Sequence, residues 1–145
     1  MSYQIQTSIL IHSSAQKIWS ILTDFKNYPN WNQFIQFIEG TPKIGNKIKA
    51  KIQPPNSKLM TFTPKVLVFE ENKEFVWLGH FLFKGLFDGE HHFKLIDNQD
   101  GTITFIQSEN FKGLLVPIFK NSLEKNTQKG FELMNQKLKE LAEKQ

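Results

Sequence analysis

The feature that most constrains the fold is an amphipathic helix closing a chain that otherwise reads mostly as strand. From Phe119 onward, Phe119, Leu123, Thr127, Phe131, Met134, Leu138 and Leu141 recur at spacings of three or four residues. That spacing lines them up on one helical face. Lys120, Glu124, Lys125, Lys129, Gln136, Lys139, Glu140 and Lys144 take the opposite face. The apolar stripe needs a partner, and no other helical segment of comparable length is available. Its partner must be a sheet.

The strands that build such a sheet are visible in the pattern. Gln4 to Ile11 alternates and predicts a first strand. Ser13-Ser14 offers an N-cap, and Ile18, Trp19, Ile21, Leu22 and Phe25 follow at helical spacing. Asn27-Tyr28-Pro29-Asn30 predicts the end of that helix, and Trp31-Asn32-Gln33-Phe34 a second short helical turn. Further strands are expected at Phe34–Glu39, Lys47–Ile52, Lys58–Glu70, Glu74–Phe81, Gly89–Ile96 and Thr102–Phe111, with Pro64 marking an edge or a bulge. Their short connections imply an antiparallel meander. A curved antiparallel sheet gripping a long helix leaves a space between them. Whether that space is filled or hollow decides function.

Length and composition narrow the possibilities. The 145 residues predict one domain spanning 1–145, large enough to hold a core without disulfide or metal. No Cys is present, which excludes a thiol nucleophile, a zinc ribbon and an iron–sulfur cluster. All 18 basic residues are Lys, so the two-pronged guanidinium grip on phosphate or carboxylate is missing. A net charge of +4 is too mild to call for nucleic acid. No run is long and apolar enough for a membrane span, and Met1-Ser2-Tyr3-Gln4 has no basic leader, so a cytoplasmic location is expected. The ladder Lys47, Lys49, Lys51 reads as a solvated strand face, with weak contact to an anionic surface as the alternative.

Sorting each strand by its alternation shows what faces inward. Phe75, Trp77, Gly79 and Phe81 share a face, as do Met60, Phe62, Pro64, Val66 and Val68. Gly89, His91, Phe93 and Leu95 put a histidine among apolar residues, and Ile103, Phe105, Gln107, Glu109 and Phe111 put two polar residues there. A buried carboxylate is costly unless paired or wet. A cavity with apolar walls and a few convergent polar groups explains the pattern; a simple His91–Glu109 core pair is the plainer alternative, and the two are compatible. The expected walls are Trp31, Phe34, Met60, Phe62, Trp77, Phe93, Phe105, Phe111, Phe131 and Met134, with His91, Gln107 and Glu109 as the polar end. The repeated Phe83-Lys84-Gly85-Leu86 and Phe111-Lys112-Gly113-Leu114 suggest mobile apolar flaps at the mouth, involving Phe83, Gly85, Leu86, Gly113 and Leu114.

Recognisable catalytic motifs are absent. No Gly-x-Ser-x-Gly or phosphate-cradling glycine loop occurs. The adjacent His91 and His92 point to opposite faces of a strand and cannot share an ion, so no metal and no cofactor is expected. His91 with Glu109 is the one acid–base pair that can be assembled.

The run Ala15-x-Lys17-Ile18-Trp19-x-Ile21-Leu22-Thr23-Asp24-Phe25-x-x-Tyr28-Pro29-x-Trp31-Asn32-x-Phe34 resembles the start of the SRPBCC proteins, the START-like, helix-grip superfamily. Trp77-Leu78-Gly79, Gly85-Leu86-Phe87-Asp88-Gly89-Glu90-His91-x-Phe93, Gln107-x-Glu109-x-Phe111-x-Gly113 and Gly130-Phe131-Glu132-x-Met134-Asn135 are similar to one bacterial branch of it. The resemblance implies an α+β fold. About seven antiparallel strands would wrap a long C-terminal helix, with two short helices after the first strand and a hydrophobic cavity between sheet and helix. It implies a small hydrophobic or amphipathic ligand (lipid-like, polyketide-like or aromatic); the alternatives are a cyclase- or hydrolase-type reaction using His91 and Glu109, or a protein or membrane interaction module that uses the apolar flaps or the lysine face. It carries no catalytic motif and does not identify the ligand.

Overall fold

The computed structural model describes residues 2–145; Met1, part of the N-terminal run read above, lies outside the described residues. Strand β1 (Ser2–Ile11) leads into helix α1 (Ala15–Leu22), a 3-10 turn (Phe25–Asn27) and the short helix α2 (Tyr28–Trp31). Seven more strands follow: β2 (Ile35–Glu39), β3 (Lys49–Ile52), β4 (Met60–Phe62), β5 (Lys65–Glu70), β6 (Glu74–His80), β7 (Asp88–Asp97) and β8 (Ile103–Lys112). The chain ends in α3 (Val116–Ser122), a π-helical turn (Leu123–Thr127) and α4 (Gln128–Glu143), which run on as one helix.

All the strand pairs are antiparallel. One sheet has the order β1-β8-β7-β6-β5 and the other β2-β3-β4. A bridge between Lys47 and Lys65 joins them. Bonds from Ile48 N to the Pro64 carbonyl and from Val66 N to the Asn46 carbonyl extend that seam. The two sheets thus form one curved wall around the helix, as a helix grip requires. Ile5, Phe75, Phe93, Phe105, Phe131, Met134 and Leu138 are among the residues buried between them.

Several boundaries differ from the pattern, each for a physical reason. The expected Lys58–Glu70 strand is two strands, β4 and β5, because Pro64 has no N–H for the ladder. That raises the strand number from about seven to eight. A bulge between Val66 and Val68 then shifts the register. Phe69, rather than Val68, packs on the core, against Trp19 and Phe75. Tyr28-Pro29-Asn30 does not break a helix but starts α2, with Pro29 in its first turn, where a missing N–H costs nothing. The C-terminal helix starts at Val116, three residues before Phe119, again with proline in the first turn. The Ser14 cap is as expected: its hydroxyl accepts from Lys17 N at 3.1 Å.

Two buried contacts lock the short helices and the long one to the wall. The Tyr28 hydroxyl donates to the Leu22 carbonyl, and complete burial, with the Asp24 carboxylate nearby, pushes its pKa above the ordinary range. Gly130 on α4 packs directly on the Phe34 ring, where a Cβ would overlap the ring carbons. Glycine in an exposed helix is worse than alanine by about 1 kcal/mol. Here the sign reverses, because Phe34 is buried and cannot swing away. Gly130→Ala is expected to lower stability by roughly 1–3 kcal/mol, the usual cost of overpacking, measured as a shift in the urea midpoint at unchanged slope.

Candidate functional site

Antiparallel register sorts the inner face of the large sheet into rows. Phe75, Phe93 and Gln107 lie side by side, as do Trp77, His91 and Glu109, then Gly79, Gly89 and Phe111. The third row has two facing glycines where the others have rings. A Cβ on Gly79 would touch nothing closer than Pro64 at 3.6 Å. The volume missing at Gly79 opens into the cavity, while that at Gly89 is taken by the Glu109 carboxylate.

The cavity has an inner chamber of about 80 Å³, lined by Phe34, Ile52, Pro64, Trp77, Phe111 and Leu123 among others, with Glu109 as its one ionisable residue. It shares Pro54, Met60, Phe62, Phe87, Leu123 and Thr127 with an outer groove of about 370 Å³. Phe81 and Phe119 extend the groove, and Asn56, Ser57 and Lys58 form its polar rim. Walls that are apolar apart from a few polar groups suit a small organic ligand.

Glu109 is the end of a buried hydrogen-bond chain. Its Oε1 lies 3.1 Å from His91 Nδ1. His91 Nε2 lies 2.9 Å from Gln107 Oε1. Gln107 Nε2 donates to Asn135 Oδ1 at 2.8 Å, Asn135 Nδ2 to Thr7 Oγ1 at 2.8 Å, and the Thr7 hydroxyl to the Gln107 carbonyl at 3.0 Å. The chain joins β1, β7 and β8 to α4. His91 is enclosed by the rings of Trp77, Phe93 and Phe131, with centroids 5.2, 4.5 and 5.0 Å away. The Glu109 carboxylate lies over Gly89, and a Cβ there would collide with Oε2.

The expected site residues divide into three groups. Phe34, Met60, Phe62, Trp77, Glu109 and Phe111 line the cavity. His91, Phe93, Phe105, Gln107, Phe131 and Met134 are buried behind it, outside the lining. Trp31 is buried beside a separate surface groove with Lys137, Glu140 and Leu141. At the mouth, Phe83 and Leu114 point outward, at 62% and 79% exposure, and Phe83, Gly85, Leu86, Gly113 and Leu114 do not line the chamber or the groove. The two repeated tetrapeptides are joined to each other: Leu114 N donates to the Gly85 carbonyl and Leu115 N to the Leu86 carbonyl. The backbone at Gly113, at φ 135°, packs so closely on Leu86 that only glycine fits.

Phe87, Leu123, Thr127, Ile52, Pro54 and Pro64 line the cavity but are not among the expected wall or site residues. Leu123 and Thr127 face it because the helix carries a π turn there, a device common at functional sites. On the outer face, His80 pairs with Asp88 at 2.8 Å and His92 with Glu90 at 2.8 Å. Among the described residues, no group of three or more His, Asp or Glu is placed to hold a metal.

A family model described as polyketide cyclase/dehydrase and lipid transport matches residues 2–143. The chain belongs to that family. The fold is shared with several solved structures at low identity. The di-domain aromatase/cyclase StfQ of the steffimycin biosynthetic pathway superposes with a TM-score of 0.78 at 12% identity, covering 99% of this chain and 52% of that one. A hypothetical protein from Helicobacter pylori gives 0.80 at 12% identity over 97% and 88%. A START superfamily protein from Mycobacterium smegmatis gives 0.70 at 17% identity over 95% and 98%. The chain spans about half the length of the di-domain aromatase/cyclases. No curated protein matches the sequence.

The polar chain is a structural liability if cut. Gln107→Leu would leave His91 Nε2 and the Asn135 amide without their partners in a buried place. It is expected to cost about 2–3 kcal/mol or more, beyond the loss of one hydrogen bond. Urea denaturation checks this, and the double variant Gln107→Leu/Asn135→Leu should be less destabilised than the two single losses summed.

Proposed function

We propose that the protein binds a small hydrophobic or amphipathic molecule in the cavity between the sheet and the C-terminal helix. The observation that carries the reading is the row in which Gly79 faces Gly89: it leaves a hollow, ring-walled space with one carboxylate at its inner end. The family's polyketide cyclase and lipid transport description supports the same reading. The unit proposed is the single domain spanning the chain, acting in the cytoplasm. If the protein turns its ligand over, His91 and Glu109 are the acid–base pair, and Glu109→Gln would abolish turnover while leaving binding of an uncharged ligand nearly intact.

Gly79→Leu tests the cavity directly. A Cβ added there meets only ordinary contact, with Pro64 at 3.6 Å, and the rest of a leucine is expected to extend into the hollow. Wild-type protein should retain a small molecule in native mass spectra after purification, or bind the neutral dye N-phenylnaphthylamine. Gly79→Leu should keep its thermal melt and lose that binding at least tenfold. Equal binding by both proteins, or none by the wild type, overturns the reading.

A second reading rests on a different observation. Leu82, Phe83, Leu114 and Ile118 are 78%, 62%, 79% and 72% exposed at one end of the molecule. Lys84, Lys112 and Lys120 flank them, and the nearby Asp88 carboxylate is engaged by Gly85 N and His80. An apolar tip ringed with lysine suits weak contact with an anionic lipid surface, from which a ligand could enter beside Phe81 and Phe119. Flotation with vesicles containing phosphatidylserine should carry the wild type and not the double variant Leu82→Ser/Phe83→Ser; flotation that survives the substitution removes this reading.

A further inference from the structure

The direction of every hydrogen bond in the buried chain follows from one fixed acceptor. The Gln107 main-chain carbonyl can only accept, so the Thr7 hydroxyl donates to it. Thr7 Oγ1 must then accept from the Asn135 amide nitrogen. Asn135 Oδ1 is left to accept from Gln107 Nε2. The Phe131 carbonyl, on the same side of the Gln107 amide at 3.5 Å, agrees with that orientation. Gln107 Oε1 therefore accepts, and His91 Nε2 carries a proton.

The 3.1 Å contact of His91 Nδ1 with Glu109 Oε1 is a hydrogen bond only when the pair shares one further proton. It resides on Nδ1, giving an imidazolium beside a carboxylate, or on Oε1, giving a neutral imidazole beside a carboxylic acid. In both states Glu109 Oε2 is an acceptor with no proton of its own. Among the described residues no side chain or backbone group donates to Oε2, and Glu109 is the one ionisable residue lining the inner chamber. In both states the pair is also neutral overall. A cation in the chamber would have no counter-charge, and an anion would meet a second acceptor in an apolar space.

We infer that the inner chamber selects an uncharged amphiphile with a terminal hydroxyl, which donates its proton to Glu109 Oε2. This rests on the binding reading above and names the ligand class for that site. A chamber of about 80 Å³ is smaller than the roughly 150 Å³ cavity that admits a benzene ring. It takes the hydroxyl and the adjoining carbons, while the apolar body lies in the outer groove against Met60, Phe62, Phe87 and Phe119. Thr127, which lines both spaces, is a second polar neighbour for the hydroxyl oxygen. Fatty acids are rejected head first, because their carboxylate brings acceptors to an acceptor.

Three probes of equal chain length separate the outcomes: decanol, decyl methyl ether and decanoate, each displacing N-phenylnaphthylamine at a pH where decanoate is ionised. Decanol is expected to bind at least tenfold more tightly than the ether and the carboxylate, the scale of one hydrogen bond to a charged acceptor. Glu109→Met removes the acceptor and should bring decanol and the ether to within about twofold of each other. The wild-type ranking stands as a test even if that variant does not fold. Decanol and ether binding equally, or decanoate binding best, overturns this inference and leaves the binding reading intact. Failure of the dye and all three probes to bind overturns both.

Discussion

The hydrogen-bond chain from Glu109 through His91, Gln107 and Asn135 to Thr7 holds the sheet and the helix in register. Each member is buried or partly buried, so each would destabilise the core by about 1–3 kcal/mol if left unpaired. Together they are satisfied only when α4 lies at one height against β1 and β8. Packing of Phe131, Met134 and Leu138 against the sheet is nondirectional and would tolerate sliding; the polar chain does not. It pins the helix at the closed end of the grip, where rings from both sides fill the space.

At the other end the same helix is prevented from closing down. The π turn at Leu123–Thr127 changes the face the helix presents, Gly79 leaves the opposing wall without a side chain, and Gly89 makes room for the Glu109 carboxylate. A cavity lined by apolar side chains is ordinarily unfavourable, since its lining atoms lose dispersion contacts. Here it persists because the filled rows on one side and the joined Gly85 and Leu114 segments on the other brace the wall. The Glu109 carboxylate stands at the boundary between the two regimes, with Oε1 in the buried chain and Oε2 over Gly89 in the cavity wall. Binding chemistry and structural support therefore share a single side chain.

Much of this was legible from residue patterns. Strand alternation identified the inward-facing His91, Gln107 and Glu109, and the spacing of the last helix required a sheet as its partner. The resemblance to the helix-grip proteins agreed with both. The polar residues stood out because burying a carboxylate without a reason is so unfavourable that its presence on an apolar face is informative. What did not follow was which apolar residues line space and which fill it. Phe93, Phe105 and Phe131 read the same as Phe34 and Phe111 in one dimension, yet they lie behind the wall. Residues such as Phe87 and Pro54 reach the cavity from loops, where no period marks the inner face.

The amino-acid sequence alone determined the class of fold, because a period of two and a period of 3.6 cannot be exchanged without exposing a whole apolar face. It also determined what the chain lacks: without Cys or Arg, thiol chemistry and two-pronged anion binding are closed to it. The tertiary structure decided where the space lies. A cavity is an absence, set by the register that places Gly79 opposite Gly89 and by the helix that passes over them. The direction of the hydrogen bonds reaching Glu109 was likewise decided only by folding, since it depends on one carbonyl of β8 meeting a threonine of β1, a contact between residues far apart in the chain.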